Sequence, residues 1–253
     1  MSAPSVSRTP LLETTVVHPA DAEAAEAGGA DRLALLAPLT GSGSDEAYSN
    51  GRSPEPSLVS AVVRSTSLPV RPLLRLSDGY STTGGELGRL VGLAESYLAV
   101  GADGVALGFL TADLEVDVQV VTEIVDQLPD LSWTFDRAID KTLEPGRSWR
   151  LLRDLPGLDH VLTAGSALGV EQGQDSLVAM ARADARTAIL IMAGGRLRPE
   201  HIPWLARAGV RAFHVGAGVR PGGSWTKAYV DAGFVRAWRL LLDDEVSAAE
   251  GVS

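Results

Sequence analysis

Apolar and polar positions repeat in one phrase along the chain: "AGGADRLALL" from Ala27, "AVGADGVALGFL" from Ala99, "LPGLDHVLTAG" from Leu155 and "RAGVRAFHVGAG" from Arg207. Each sets a glycine where a helix would end, then polar residues, then a short apolar run. Glycine accepts the left-handed backbone that closes a helix, so each phrase reads as a helix turning directly into a buried strand. The glycines Gly29, Gly101, Gly157 and Gly209 lie 72, 56 and 52 residues apart. That is about twice the roughly 30 residues of one βα unit, so a further strand belongs between each pair. "LLETTVV" from Leu11, "PVRPLLRL" from Pro69, "LSWTFDRA" from Leu131 and "TAILIMAG" from Thr187 supply the rest, making eight strands.

Amphipathic stretches fill the intervals, among them "GELGRLVGLAESYLAVG", "DVQVVTEIVDQL", "PEHIPWLARAG" and a final "KAYVDAGFVRAWRLLLDD" from Lys227. Eight alternating units predict a single-domain α/β fold, a TIM-type (β/α)8 barrel over residues 11–244. A doubly wound open sheet is the alternative. Pro72 sits awkwardly inside the third strand, which a bulge or a late strand start would resolve. The Gly/Ser-rich segment 37–57 reads as a long loop, or lid, over the C-terminal face of the barrel. Residues 1–10 and 245–253 are expected to be disordered.

With 253 residues and 45% apolar content the chain is long enough for one large core. A net charge of −10 and the lack of any basic stripe count against nucleic acid and anionic membrane as partners. No apolar run reaches the roughly 18 residues of a membrane span, which points to a soluble, cytoplasmic protein. Cysteine is absent, which excludes disulfides and thiolate metal sites. A homo-oligomer is compatible with the sequence but not readable from it.

A barrel of this type places its chemistry at the C-terminal ends of the strands. Polar candidates there are Arg75 and Asp78 on strand 3, Asp136, Arg137 and Asp140 on strand 5, Thr163 and Ser166 on strand 6, and His214 on strand 8, with Glu13 deeper in strand 1. Strand alternation sends Trp133 and Phe135 towards the helices and Thr134 and Asp136 inward. Arg71 and Arg75 share a face and would balance Glu13 and Asp136. A buried charge must be paired or neutralise, so this set reads equally as a self-satisfied network or as acid/base machinery.

"IMAGGRLRPEH", with Gly194, Gly195, Arg196 and Arg198, and "HVGAGVRPGG", with Arg220, place glycines and arginines after strands 7 and 8, where this fold commonly holds an anion. The other reading is tight turns alone. His18 lies just after strand 1, His160 belongs to the opposite face, and His201 lies early in a helix; none of the histidines shows a metal-ligand spacing. Lys141 falls in a loop. Ser166 lacks the Gly-x-Ser-x-Gly elbow of a serine hydrolase.

The ordered set "LETTV", "AGGADRLALL", "GADGVALGFLT", "TFDRAID", "VLTAG", "IMAGGRLRPE" and "FHVGA" resembles the CutC family over about residues 11–217. The resemblance implies a cytoplasmic TIM-type barrel, copper homeostasis and copper binding. It highlights Glu13, Arg75, Arg137, Asp140, Thr163, Gly165, Gly194, Gly195 and His214 at recurring mouth and lumen positions. Family members carry Cys after the strand 1 Glu and in a Glu-Leu-Cys segment of strand 2, where this chain has "LETTV" and "LALL". Their Phe-His-Arg-Ala is here "FDRA", with Asp136 at the His position. Thiolates and thioethers suit Cu(I), and this chain has no Cys and three Met.

Three readings follow. One is a CutC-like copper-homeostasis protein, with copper the only cofactor implied. The second is a barrel enzyme or binding protein for a small phosphate or carboxylate metabolite, in which Arg75, Arg137 and the Gly194, Gly195, Arg196 loop orient the anion while Asp136 or Glu13 moves a proton. The third is a non-catalytic barrel with a structural lumen.

Overall fold

The computed structural model describes residues 9–38, 51–128, 130–226 and 228–251. Strands β1 (Leu11–Val16), β2 (Arg32–Leu35), β3 (Val70–Leu74), β4 (Val105–Leu107), β5 (Trp133–Phe135), β6 (Leu158–Thr163), β7 (Ile191–Gly194) and β8 (Ala212–Val215) pair in parallel in sequence order. β8 returns to β1, so the sheet is a closed barrel. Helices α1 (Pro19–Gly28), α2 (Pro56–Ser65), α3 (Gly84–Ala99), α4 (Val118–Asp126), α5 (Pro145–Leu152), α6 (Val170–Ala183), α7 (Ala185–Leu190), α8 (Ile202–Arg207) and α9 (Ala232–Gly251) surround it. The repeat is thus a (β/α)8 barrel. Its four junction glycines carry left-handed φ angles of 94°, 99°, 73° and 100°. Among the described residues no helix is long and apolar enough to cross a membrane.

The main core lies between strands and helices, where Leu12, Leu33, Leu107, Trp133, Phe135 and Phe213 are fully buried. Trp133 and Phe135 therefore face the helices as strand parity requires, and Thr134 and Asp136 face the lumen. Pro72 is tolerated inside β3 because the β3–β4 ladder begins only at Leu73↔Ala106.

Four boundaries differ from the sequence expectation. "TAIL" opens no strand: Asp184 accepts hydrogen bonds from the backbone N–H groups of Arg186 and Thr187, starting the turn that becomes α7, and β7 begins at Ile191. The last helix starts at Ala232, where the Asp231 carboxylate takes the Phe234 N–H, and runs to Gly251. Residues 245–251 are therefore helical rather than disordered, with Val246 buried on the core. Likewise α2 claims Pro56 and Ser57 from the expected 37–57 loop. Most of that loop, 39–50, lies outside the described residues, as do residues 1–8 of the expected disordered N-terminus. The loop's described end is pinned to strand 3: Ser53 N–H donates to the Arg75 carbonyl (3.0 Å) and the Arg75 N–H donates to Ser53 Oγ (2.7 Å).

Candidate functional site at the barrel mouth

Inward residues stack in tiers, and the lowest is ionic. Arg32 Nε lies 2.5 Å from Glu13 Oε2 and its Nη1 lies 3.4 Å from Asp159. Arg71 reaches Asp159 at 2.5 Å and Asp103 at 3.3 Å, and donates to Thr134 Oγ1 at 2.9 Å. Burial would raise the Glu13 and Asp159 carboxyls, but their partners win. Arg32 and His214 hold Glu13, and His160 and Arg71 hold Asp159, well below the usual carboxylate range. Arg71 thus balances Asp159 more directly than Glu13. Arg32 and Asp159 escaped the sequence reading, because each stands at or near the start of its strand among polar residues and reads as part of the preceding turn.

Above this floor a cavity of about 370 Å³ opens to the mouth. Its apolar lining comes from Ala34, Leu36, Leu73, Ala106 and Leu162. Charged residues share the lining with them. Arg75 is ion-paired with Asp136 and lies under the Tyr80 ring, 4.5 Å from its centroid. The second Asp136 oxygen accepts the Ala138 N–H at 2.8 Å, capping the 310 turn Arg137–Lys141. Both carboxylate oxygens are thereby engaged, so Asp136 is placed chiefly to fix Arg75. Burial pushes the Tyr80 phenol up.

Arg137 points into the cavity from the next position. Its Nε donates to Asp140 (2.8 Å) and Nη2 to the Ser166 carbonyl (3.5 Å), while Nη1 has no hydrogen-bond partner among the described residues. The guanidinium lies flat on Gly195, where an added Cβ would come within 2.6 Å of Cζ. Gly195 is required for that approach, and its φ of 96° suits glycine besides. Asp140 in turn accepts Thr163 Oγ1–H (2.6 Å) and the Ala164 N–H, and Thr163 Oγ1 accepts the Gly165 N–H at 2.9 Å. Burial raises Asp140 against the lowering pull of Arg137 and Thr163.

Of the ligand-contact candidates, Gly195 and Arg196 line the cavity. Thr163, Gly165 and Asp140 sit behind Arg137 and brace it. Gly194 is packed against Leu162 and His214. Arg220 leaves the expected anion set altogether: it is buried on Asp21 (2.7 Å) and stacked under Trp225 (4.7 Å). Arg198 pairs with Glu171 and Glu200, and Asp78 with Arg52, away from the cavity. His18 caps α1, and His201 Nδ1 accepts the Arg198 N–H.

Glu13, His214 and Thr15, all in the lining, form a chain of hydrogen bonds. Glu13 Oε1 lies 2.7 Å from His214 Nδ1, and His214 Nε2 lies 2.8 Å from Thr15 Oγ1. The β1–β8 register sets Glu13 opposite His214, and Thr15 follows Glu13 by two residues on the same face. Thr15 was missed in the sequence because a threonine in a strand carries no signal of its own.

Comparison with known proteins follows the same span. The family model described as CutC family matches residues 11–219. A CutC family protein of Klebsiella pneumoniae strain 342 is 32% identical over 210 residues, 82% of this chain and 80% of that one. One from Caulobacter vibrioides is 33% identical over 206 residues, covering 81% and 80%. The crystal structure of CutC from Streptococcus agalactiae, described as a copper homeostasis protein, superposes with a TM-score of 0.70 at 18% identity, covering 82% of this chain and 98% of that one.

Proposed function

This chain belongs to the CutC family, and we propose that its mouth cavity receives a small organic anion oriented by Arg75, Arg137 and Arg196. The observation that carries the reading is Arg137: a cavity-lining guanidinium braced by Asp140 and packed on Gly195, with Nη1 unmatched among the described residues. A pre-positioned arginine fork is suited to a carboxylate or phosphate. The apolar residues of the same lining ask for a hydrocarbon body on the same molecule. His214, tied to Glu13, supplies a group able to exchange a proton with the ligand. Asp136 serves by holding Arg75. A cytoplasmic location is part of the reading, supported by the family resemblance alone.

Copper homeostasis is the second reading, favoured by the family match and by the description of the Streptococcus agalactiae relative. The residues around the cavity fit copper poorly. There is no Cys, both His214 nitrogens are engaged by Glu13 and Thr15, and Met192 Sδ faces Arg32 at 3.9 Å. Among the described residues no group of three His, Asp or Glu could hold a metal ion.

Calorimetric titration of the purified chain with short carboxylates, phosphate monoesters, Cu(I) and Cu(II) separates the two. Binding of one or more anions that is lost in Arg137→Gln is the expected result. Stoichiometric copper binding with no response to any anion overturns the first reading.

A further inference from the structure

We propose that the Thr15 hydroxyl is a nucleophile activated by His214 and Glu13, and that the cavity accepts an ester whose acid portion carries a second anionic group. The proposal rests on the cavity being an anion site, since Arg137 and Arg196 would anchor that second group.

The geometry is that of a carboxylate–imidazole–hydroxyl relay. Glu13 is buried and ionised against Arg32. It accepts from His214 Nδ1–H, which leaves the Nε2 lone pair for the Thr15 hydroxyl proton, 2.8 Å away. The relay climbs from the closed floor towards the open mouth, and Thr15, His214 and Glu13 all border the cavity. Thr15 Oγ1 differs here from Thr134 Oγ1, which is shared by Arg71, Arg32 and Asp159 in the floor network. Among the described residues His214 is the one side-chain partner of Thr15 Oγ1. Room beside the hydroxyl is kept by Gly216: a Cβ there would stand 3.4 Å from Thr15 Oγ1 and 2.9 Å from the Trp225 ring.

In the step, Thr15 Oγ bonds to the ester carbonyl carbon as its proton passes to His214 Nε2. The bond from that carbon to the alcohol oxygen breaks, and the proton leaves with the alcohol. Water, deprotonated by the same nitrogen, then attacks the acyl-threonine and releases the acid, returning the proton to Thr15. Glu13 acts as a positioning residue, holding the imidazole in the required tautomer.

The probe is mono-p-nitrophenyl succinate on the full chain, followed by nitrophenolate release and mass mapping of the acylated residue, with neutral p-nitrophenyl acetate alongside. Succinylation at Thr15 is expected, retained in Thr15→Ser, absent in Thr15→Val and roughly a hundredfold slower in His214→Gln. Wild-type protein that is not acylated at Thr15, or His214→Gln labelling at the wild-type rate, overturns the proposal. If anions bind in calorimetry but neither ester acylates Thr15, the relay fails and the anion site stands. If p-nitrophenyl acetate acylates Thr15 while no anion binds, the relay stands and the anion site fails.

Discussion

At the floor of the barrel Arg32 and Arg71 are closed on Glu13, Asp159 and Asp103, whereas at the mouth Arg75 and Arg137 rest on Asp136 and Asp140 beside an open cavity. The residue types are the same and the consequences opposite. On the floor each charge faces another, and the network's business is to make buried ions tolerable. At the mouth Asp140 secures only part of Arg137, whose Nη1 has no hydrogen-bond partner among the described residues, so guanidinium edge remains for something else. A buried ion pair is thus no sign of function by itself; what distinguishes a site is donor capacity left over on the cavity side.

The largest effect expected from that contrast is on the floor. Arg32→Met strands the buried Glu13 carboxylate and should cost about 3–5 kcal/mol in urea unfolding. A loss below about 1 kcal/mol would mean that the floor is worth no more than a surface pair. At the mouth, Arg137→Gln should instead cost about 2 kcal/mol of anion affinity, roughly thirtyfold, read by calorimetry. Its stability should change less than that of Arg32→Met, because Thr163 Oγ1 and the Ala164 N–H still hold Asp140. Equal stability losses in both variants would erase the distinction.

Acid should separate the two regions by sign. Glu13 and Asp159 are lowered in the folded chain, so the stability they contribute is present above the ordinary carboxylate range and lost as pH falls through their folded values. Asp140 is raised by burial, so its ionised form opposes folding and acid relieves that cost. Melting temperatures followed between about pH 7 and pH 3 should fall less steeply in Asp159→Asn than in wild type, and more steeply at the start in Asp140→Asn. Parallel curves for all three proteins would contradict the assignment.

The barrel was legible because glycine-closed helices and apolar runs are local signals that recur at a fixed spacing. Strand parity carried this further, placing Asp136 and the Arg71/Arg75 face inward. What parity leaves open is which inward residues become neighbours across the lumen, since that depends on barrel stagger. Asp159, from the start of β6, meets Arg71 of β3 only because the sheet closes. For the same reason Thr15 acquired meaning through His214, 199 positions away. Arg220 shows the converse: its sequence setting matched an anion loop, yet the buried Asp21 carboxylate had already claimed it.

The smallest expected effect tests how the mouth is built rather than how it is charged. Arg196 is exposed at the lip with φ of 58°, a left-handed conformation that costs a non-glycine residue about 1–2 kcal/mol. Arg196→Gly removes that strain but loosens the unfolded chain by about 0.4–1 kcal/mol, so a net gain in stability of up to about 1 kcal/mol is expected. Anion affinity should drop severalfold at the same time. Were stability to fall and affinity to hold, the Arg196 side chain would be fastening its own loop, and the charge available to a ligand would reduce to Arg75 and Arg137. A gain in stability paired with weaker binding would instead mark Arg196 as a residue kept in a strained backbone for its guanidinium, as the contrast between floor and mouth requires.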